Sequence, residues 1–314
     1  MVTRPQYELR VAGRTVRLGE RTLIMGVVNV TPDSFSDGGR YLDPARAIEH
    51  ALELARQGAD WIDVGGESTR PGSKPVPAEE ELRRVLPVIR GLRKRLRALP
   101  ISIDTTKAEV AEQAVRAGAA IINDVSGLRF DPRLADVARR YRTPLILMHL
   151  RGRPATMQQK PFARSIWRSV DAGLERAIRR ALRAGVRRSQ LILDPGLGFG
   201  KSRRQNYEIL AGLARLQRFR LPLLVGTSRK SFVQAIAQGE GLEPSAPRRR
   251  TRNLWPLVDE TAPGRTAPRL EIGDAAAIAV SILGGTHIVR VHDVDAALPA
   301  VRIADAVLAA GRSK

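Results

Sequence analysis

Residues 25–39, MGVVNVTPDSFSDGG, finish an apolar run that begins at Leu23 and open into a loop of proline, glycine, aspartate and serine. An apolar run that breaks into turn residues predicts a buried strand delivering a loop to a surface. Asn29, Thr31, Asp33, Ser34, Ser36 and Asp37 surround one aromatic residue there, Phe35. A plain connector has no need of that mixture, whereas a loop closing over a polar ligand does. A second loop of the same character, GGESTRPGSK at 65–74, follows the next apolar run. Two such loops on neighbouring strand ends read as the mouth of an active site.

Outward from this stretch the same rhythm continues. Apolar runs at 23–29, 61–65, 101–104, 121–124, 145–148, 191–194, 223–226 and 288–291 predict eight strands. Amphipathic stretches lie between them, among them 44–57, 79–98, 107–117 and 166–184. Gly58, Gly118, Gly185 and Gly285 stand where helices end just before strands, a position that favours left-handed backbone. Eight βα units in one chain of 314 residues fit an α/β closed parallel barrel, a (β/α)8 TIM barrel forming one domain over 1–314. Residues 7–19, YELRVAGRTVRLG, alternate like a short hairpin that could plug the barrel's bottom. No G-x-G-x-x-G follows the first barrel strand, which argues against a dinucleotide site. The stretch 239–269 holds five prolines and the run Arg248, Arg249, Arg250, and reads as an irregular insertion between two helices before the last strand.

Composition removes several classes. With 43% hydrophobic and 27% charged residues the chain is of the globular type. No apolar run reaches the roughly 18 residues needed to span a bilayer, and the opening MVTRPQYELR has no signal-peptide core. The absence of cysteine excludes a disulfide framework, a thiolate nucleophile and a thiolate metal site, and a cytoplasmic setting suits it. The net charge of +21 comes from 46 arginines and 7 lysines. A nucleic-acid groove would also need stacking aromatics, and these are only 4% of residues. Runs such as Glu79, Glu80, Glu81 followed by Arg83, Arg84 read instead as solvated helix faces. The excess charge would still attract a small polyanion.

Barrels of this kind carry chemistry at the C-terminal strand ends. Those ends here are Asn29, Glu67–Arg70, Asp104–Thr106, Asn123 and Asp124, Met148 and His149, Asp194, Ser228–Lys230, and Arg290–His292. Helix capping accounts for Thr105 or Asp293 taken singly. It does not account for the lysines and arginines. Asp104, Asn123 and Asp194 could converge as acceptors for a flat heterocycle, because a carboxylate takes two parallel bonds from an amidine-like edge. Arg290, His292 and Asn29 could hold a phosphate and its metal. The glycines of DPGLGFGK, 194–201, would let the backbone pass close to a bound ring. His149 suits a packing role as well as a catalytic one.

Taken together, MGVVNVTPDSFSDGG, GGESTRPGS, SIDTTK, IINDVSG, LDPGLGFGK, GTSRKS and RVHDV, in that order, resemble the dihydropteroate synthase family of the folate pathway over about residues 21–294. The resemblance implies condensation of 6-hydroxymethyl-7,8-dihydropterin pyrophosphate with 4-aminobenzoate. It implies that Asp104, Asn123 and Asp194 hold the pterin with Lys230 beside them, and that Met148 lies against the ring. Arg290 and His292 would engage the pyrophosphate, and Asn29 would help to bind Mg2+. Phe35, Thr69, Arg70 and Pro71 would belong to mobile loops completing the aminobenzoate site, with Phe199 and Ser228 lining the same pocket. Asp104, Asp194 and Lys230 are the expected catalytic set. A homodimer and small-molecule substrates follow from the same resemblance, while composition and pattern give no membrane or nucleic-acid partner. Two departures stand out: the long 239–269 segment, and Asp274, expected to cap the following helix where the family commonly has Thr or Ser. A corrinoid-dependent pterin methyltransferase would share the acceptors but lack the Phe35 loop, the STRPG loop and Ser228–Lys230. A non-catalytic paralogue would be expected to have lost a motif residue, and none is lost.

Overall fold

A computed structural model of the chain describes residues 3–31, 43–70, 72–158, 164–242 and 266–311, without the side chains of 266–270. Two strands open it, β1 (Tyr7–Val11) and β2 (Arg14–Leu18), paired antiparallel. Ala12 and Gly13 join them with φ of 49° and 80°, the positive pair that a two-residue hairpin turn requires.

Eight parallel strands follow: β3 (Leu23–Asn29), β4 (Trp61–Gly65), β5 (Ile101–Asp104), β6 (Ile121–Asp124), β7 (Leu145–Met148), β8 (Leu191–Asp194), β9 (Leu224–Val225) and β10 (Ile288–Val291). From β3 to β8 each bonds to the next in sequence; β10 lies between β9 and β3. The ring closes between β8 and β9 by one bridge, Leu193 to Leu223, and the Leu193 N–H to the Pro222 carbonyl at 2.9 Å. Helices cover the outside: α1 (Pro44–Arg56), α2 (Ala78–Arg95), α3 (Ala108–Ala117), α4 (Leu134–Tyr141), α5 (Ile166–Arg183), α6 (Arg203–Ala211), α7 (Ser231–Ala237), α8 (Thr266–Leu283) and α9 (Val294–Ala310). This is the predicted barrel.

Strand periodicity divides the core in two. Ile24, Val28, Ile62, Val64, Ile101, Ile103, Leu145, Leu147, Val289 and Val291 point outward and pack under the helices. Leu23, Met25, Trp61, Ile121, Ile146, Ile192, Leu224 and Ile288 point inward and meet Leu9, Val11 and Leu18 of the hairpin. The hairpin therefore plugs the N-terminal end, as its alternation suggested. Several helix starts carry their own signals. Asp43 accepts the Ala45 N–H at 2.8 Å with Pro44 in the first turn, and Ser202 with Gln205 forms a capping box on α6.

Four expectations need correction. Strand β9 has two residues, not the four of 223–226, because Leu223 makes only a bridge and Gly226 already turns toward the mouth. The insertion is shorter than 239–269, since α8 already begins at Thr266; Arg248, Arg249 and Arg250 lie outside the described residues. Asp274 caps no helix: it sits within α8, and its carboxylate accepts the Arg229 N–H at 2.8 Å. That bond holds a residue with φ of 58°. Glu81 is not part of a solvated face but fully buried on Lys107, which also binds Glu67. Glu80 behaves as expected, pairing with Arg83 and Arg84 at 2.6 and 3.0 Å. Among the described residues no helix is long and apolar enough to cross a membrane.

Candidate active site

The pleat that buries Trp61, Ile121, Ile146 and Ile192 at the plug turns Asp63, Asn123, Met148 and Asp194 inward two residues later. The same alternation brings Asp104 in after Ser102 and Arg290 in after Ile288. A small cavity of about 30 Å3 lies at this end. Asp104, Asn123, Met148, Asp194, Phe199 and Lys230 line it, together with Thr69, Ser228, Arg290 and His292.

Arg290 organises the charges. Its Nε donates to Asp63 Oδ2 at 2.7 Å and its Nη2 to Asp104 Oδ2 at 2.8 Å. Asp63 Oδ2 also accepts Asn123 Nδ2 at 3.0 Å. With that amide nitrogen turned toward Asp63, the polar atom Asn123 keeps for a ligand is its carbonyl oxygen, an acceptor. Asp194 Oδ1 takes the Gly196 N–H at 2.6 Å. Lys230 Nζ stands 4.2 Å from the centre of the Phe199 ring, a cation–π contact that holds the ammonium over the cavity. The His292 N–H and its Nδ1 meet the Ser228 hydroxyl at 3.4 and 3.3 Å.

Burial tunes these groups. It pushes the Asp104 carboxyl up, opposed by the Arg290 guanidinium and helped by Asp63. Burial likewise raises Asp194, opposed chiefly by its bond from the Gly196 N–H. Lys230 is lowered to about 8, by burial first and then by Arg290. His292 falls to about 3 through burial and the neighbouring Arg290, Arg229, Lys230 and Arg70. It is a neutral imidazole at pH 7, so it can bond a phosphate but adds no charge of its own. The site thus sets two cations, Arg290 and Lys230, beside a cluster of buried acceptors.

Asp104, Asn123, Asp194, Lys230, Met148, Phe199, Thr69, Ser228, Arg290 and His292 are brought together as expected. Arg70 is exposed on the mouth loop beyond the cavity lining, and Asn29 ends β3, half-buried and also outside that lining. Phe35 and Pro71 lie outside the described residues. Asp124 faces away from the site, accepting the N–H groups of Ser126 at 2.8 Å and Leu128. His149 packs: it is buried, bonds Ser169 at 3.2 Å, and is lowered by burial to about 2. Two glycines of DPGLGFGK are required by close approach of protein backbone. A Cβ on Gly196 would stand 2.1 Å from the His149 carbonyl and one on Gly200 2.2 Å from that of Arg151. Lys201 clips this loop down, donating to the carbonyls of His149, Gly196 and Phe199 at 2.6–3.1 Å.

Two functional groups escaped sequence reasoning. Asp63 sits inside WIDVG, a run read as apolar; a carboxylate at an inward strand position was the available signal. The Glu67–Lys107–Glu81 cluster anchors the mouth loop, and Glu67 also takes the Val76 N–H at 3.1 Å.

Comparisons with known proteins find relatives over most of the chain. The family described as pterin binding enzyme matches residues 25–292. A dihydropteroate synthase of Synechocystis is 43% identical over 289 residues, covering 92% of this chain and 91% of that protein. The structure of Xanthomonas albilineans dihydropteroate synthase with 4-aminobenzoic acid aligns with a TM-score of 0.81 and 40% identity, covering 97% of this chain and 99% of that one. The same enzyme in complex with 7,8-dihydropteroate aligns at 0.78 and 38% identity, covering 96% and 99%.

Proposed function

The chain belongs to the dihydropteroate synthase family of pterin binding enzymes, and from that premise we propose its reaction and the roles of its residues. It is a transferase that joins 6-hydroxymethyl-7,8-dihydropterin pyrophosphate to 4-aminobenzoate, giving 7,8-dihydropteroate and pyrophosphate for folate synthesis. The observation that carries this reading is the set of three buried acceptors, Asp104, Asn123 and Asp194, facing two cations, Lys230 and Arg290, across one cavity. That set suits a donor-rich ring joined to a polyanion.

In the reaction the carbon–oxygen bond to the pyrophosphate breaks and the electron pair leaves with oxygen. The ring-bearing methylene becomes cationic, and the nitrogen of 4-aminobenzoate attacks it and loses a proton. Asp104 lies where a carboxylate stabilises the cation, an electrostatic effect of the kind that often dominates catalysis. Arg290, with the neutral His292 and Ser228 beside it, receives the leaving pyrophosphate. Lys230 lies alongside the ring, and Met148 and Phe199 bound its faces. Closure of the mouth loops around Thr69 and Arg70, with Phe35 and Pro71, would exclude water that otherwise captures the cation. The arylamine is already nucleophilic, so no strong base is required.

Mg2+ is the metal we assign. Among the described residues no three His, Asp or Glu side chains form a metal cluster. Asn29 offers one amide oxygen, which fits an ion that binds few protein groups and takes substrate phosphate oxygens instead. When bound, the ion would neutralise charge on the leaving pyrophosphate. We read the arginine excess as solvated helix faces and as an attraction for this polyanion, not as a nucleic-acid groove. Exposed Ile272, Val280, Ile303 and Val307 on α8 and α9 favour a homodimer through those helices. The cytoplasm is the compartment that suits a cysteine-free chain acting on a highly charged substrate.

The test is a mass-spectrometric assay for dihydropteroate with both substrates and Mg2+. Product should require both substrates and vanish in Asp104→Asn. Absence of product from the unaltered protein, with the pterin substrate bound, would replace the synthase by a non-catalytic relative.

A further inference from the structure

Arg290 is held by two carboxylates of unequal standing. Asp63 is 0% exposed, lies one inward layer below the cavity in register with Ser102, and does not line it. Asp104 lines the cavity, and Arg290 occupies its Oδ2. Arg290 itself lines the same cavity, so the contact stands at the place where a ring would dock.

We propose that Asp63 is a positioning residue for Arg290, and that the ring docking on Asp104 passes the guanidinium from Asp104 to the pyrophosphate. This rests on the synthase reading above. The Nε bond to Asp63 is the pivot. When ring N–H groups take Asp104, the Nη2 end is released while the side chain stays anchored and neutralised from below. Asp194, the other carboxylate of the lining, accepts the ring as well, so the released end turns to an anionic ligand. Ser228 and His292, which also line the cavity, are donors that meet that ligand beside it. Asp63 Oδ2 also fixes Asn123 with its carbonyl oxygen toward the ring. A single buried carboxylate therefore sets one acceptor for the ring and the pivot of the cation for the phosphate. The two halves of the substrate assist each other, and the assistance is reciprocal.

The test separates the halves, titrating inorganic pyrophosphate at fixed Mg2+ by calorimetry, with and without saturating 6-hydroxymethylpterin. In the unaltered protein the ring should tighten pyrophosphate about tenfold, because it frees an arginine otherwise engaged. Equal affinity in both titrations overturns the transfer, and no variant is needed to see it. Asp104→Asn removes the competing partner, so ring-free affinity should rise to the ring-saturated value. Bulk electrostatics alone would tighten both states equally, and that result also overturns the proposal. For Asp63→Asn, loss of a negative charge should by simple electrostatics tighten an anion. Loss of the pivot should instead weaken pyrophosphate about tenfold in the ring-saturated state, with the KM for 4-aminobenzoate within about twofold. Unchanged or tighter binding there sinks the role of Asp63. If Asp63→Asn does not fold, the other two measurements still decide the transfer, and Asp63→Ser, which removes the same pivot with a smaller side chain, is read by the same titration. Fluorescence titration of the ring alone guards the premise: a ring that binds without coupling defeats only this inference, whereas a ring that does not bind defeats the synthase reading with it.

Discussion

At the closed end of the barrel, Leu9, Val11 and Leu18 fill the space between Trp61, Ile121, Ile146 and Ile192. Two residues further along the same strands stand Asp63, Asn123, Met148 and Asp194. One end satisfies the physics of packing, and removing atoms there costs stability. The other end breaks that physics by burying charge, at positions where only a ligand or an opposite charge completes the arrangement. The difference teaches where each kind of damage should register. Injuries to the plug should lower stability and spare chemistry, and injuries to the mouth should do the reverse.

The sharpest challenge is Asp104→Asn. Steady-state kinetics should show turnover lowered by about a thousandfold, the scale of a lost electrostatic stabiliser, with a much smaller change in pterin affinity. Equal losses in the two quantities would mean the carboxylate only binds. At the other end Leu18→Ala should cost about 3 kcal/mol in denaturant unfolding, while kcat/KM of the folded enzyme stays within about twofold. A large activity loss there would show that the plug shapes the mouth after all.

Lys230 offers a finer probe. Its ammonium is lowered to about 8, so it is charged below that pH and neutral above it. kcat/KM for the pterin substrate should therefore fall as pH rises through about 8. In Lys230→Arg the fall should move beyond pH 10, since a guanidinium stays charged. The smallest effect belongs to the outer surface. Arg56 pairs with Glu53 at 2.6 Å and is well exposed. Arg56→Ala should change stability by less than about 0.5 kcal/mol and leave kinetics unaltered. A larger value would mean the arginine-rich exterior contributes to more than solubility and attraction.

Much of this was legible because strand ends and strand bodies differ in kind. The apolar runs at 101–104, 121–124 and 191–194 coincide with β5, β6 and β8, and their last inward residues are Asp104, Asn123 and Asp194. Less legible was anything settled across strands. Asp63 hides within a run because its partner, Arg290, lies 227 positions away in sequence. Glu81 looks like one more acid in an acidic turn until α3 brings Lys107 against it. The glycines of 194–201 signal close approach, but only the fold says what approaches: here the backbone of His149 and Arg151.

The closure between β8 and β9 bears on the way this barrel breathes. Seven of its joints are ladders, and the eighth is a single bridge at Leu193 and Leu223. Asp194 stands on one bank of that weak joint and Ser228 and Lys230 on the other, so a substrate held by both would act as the missing stitch.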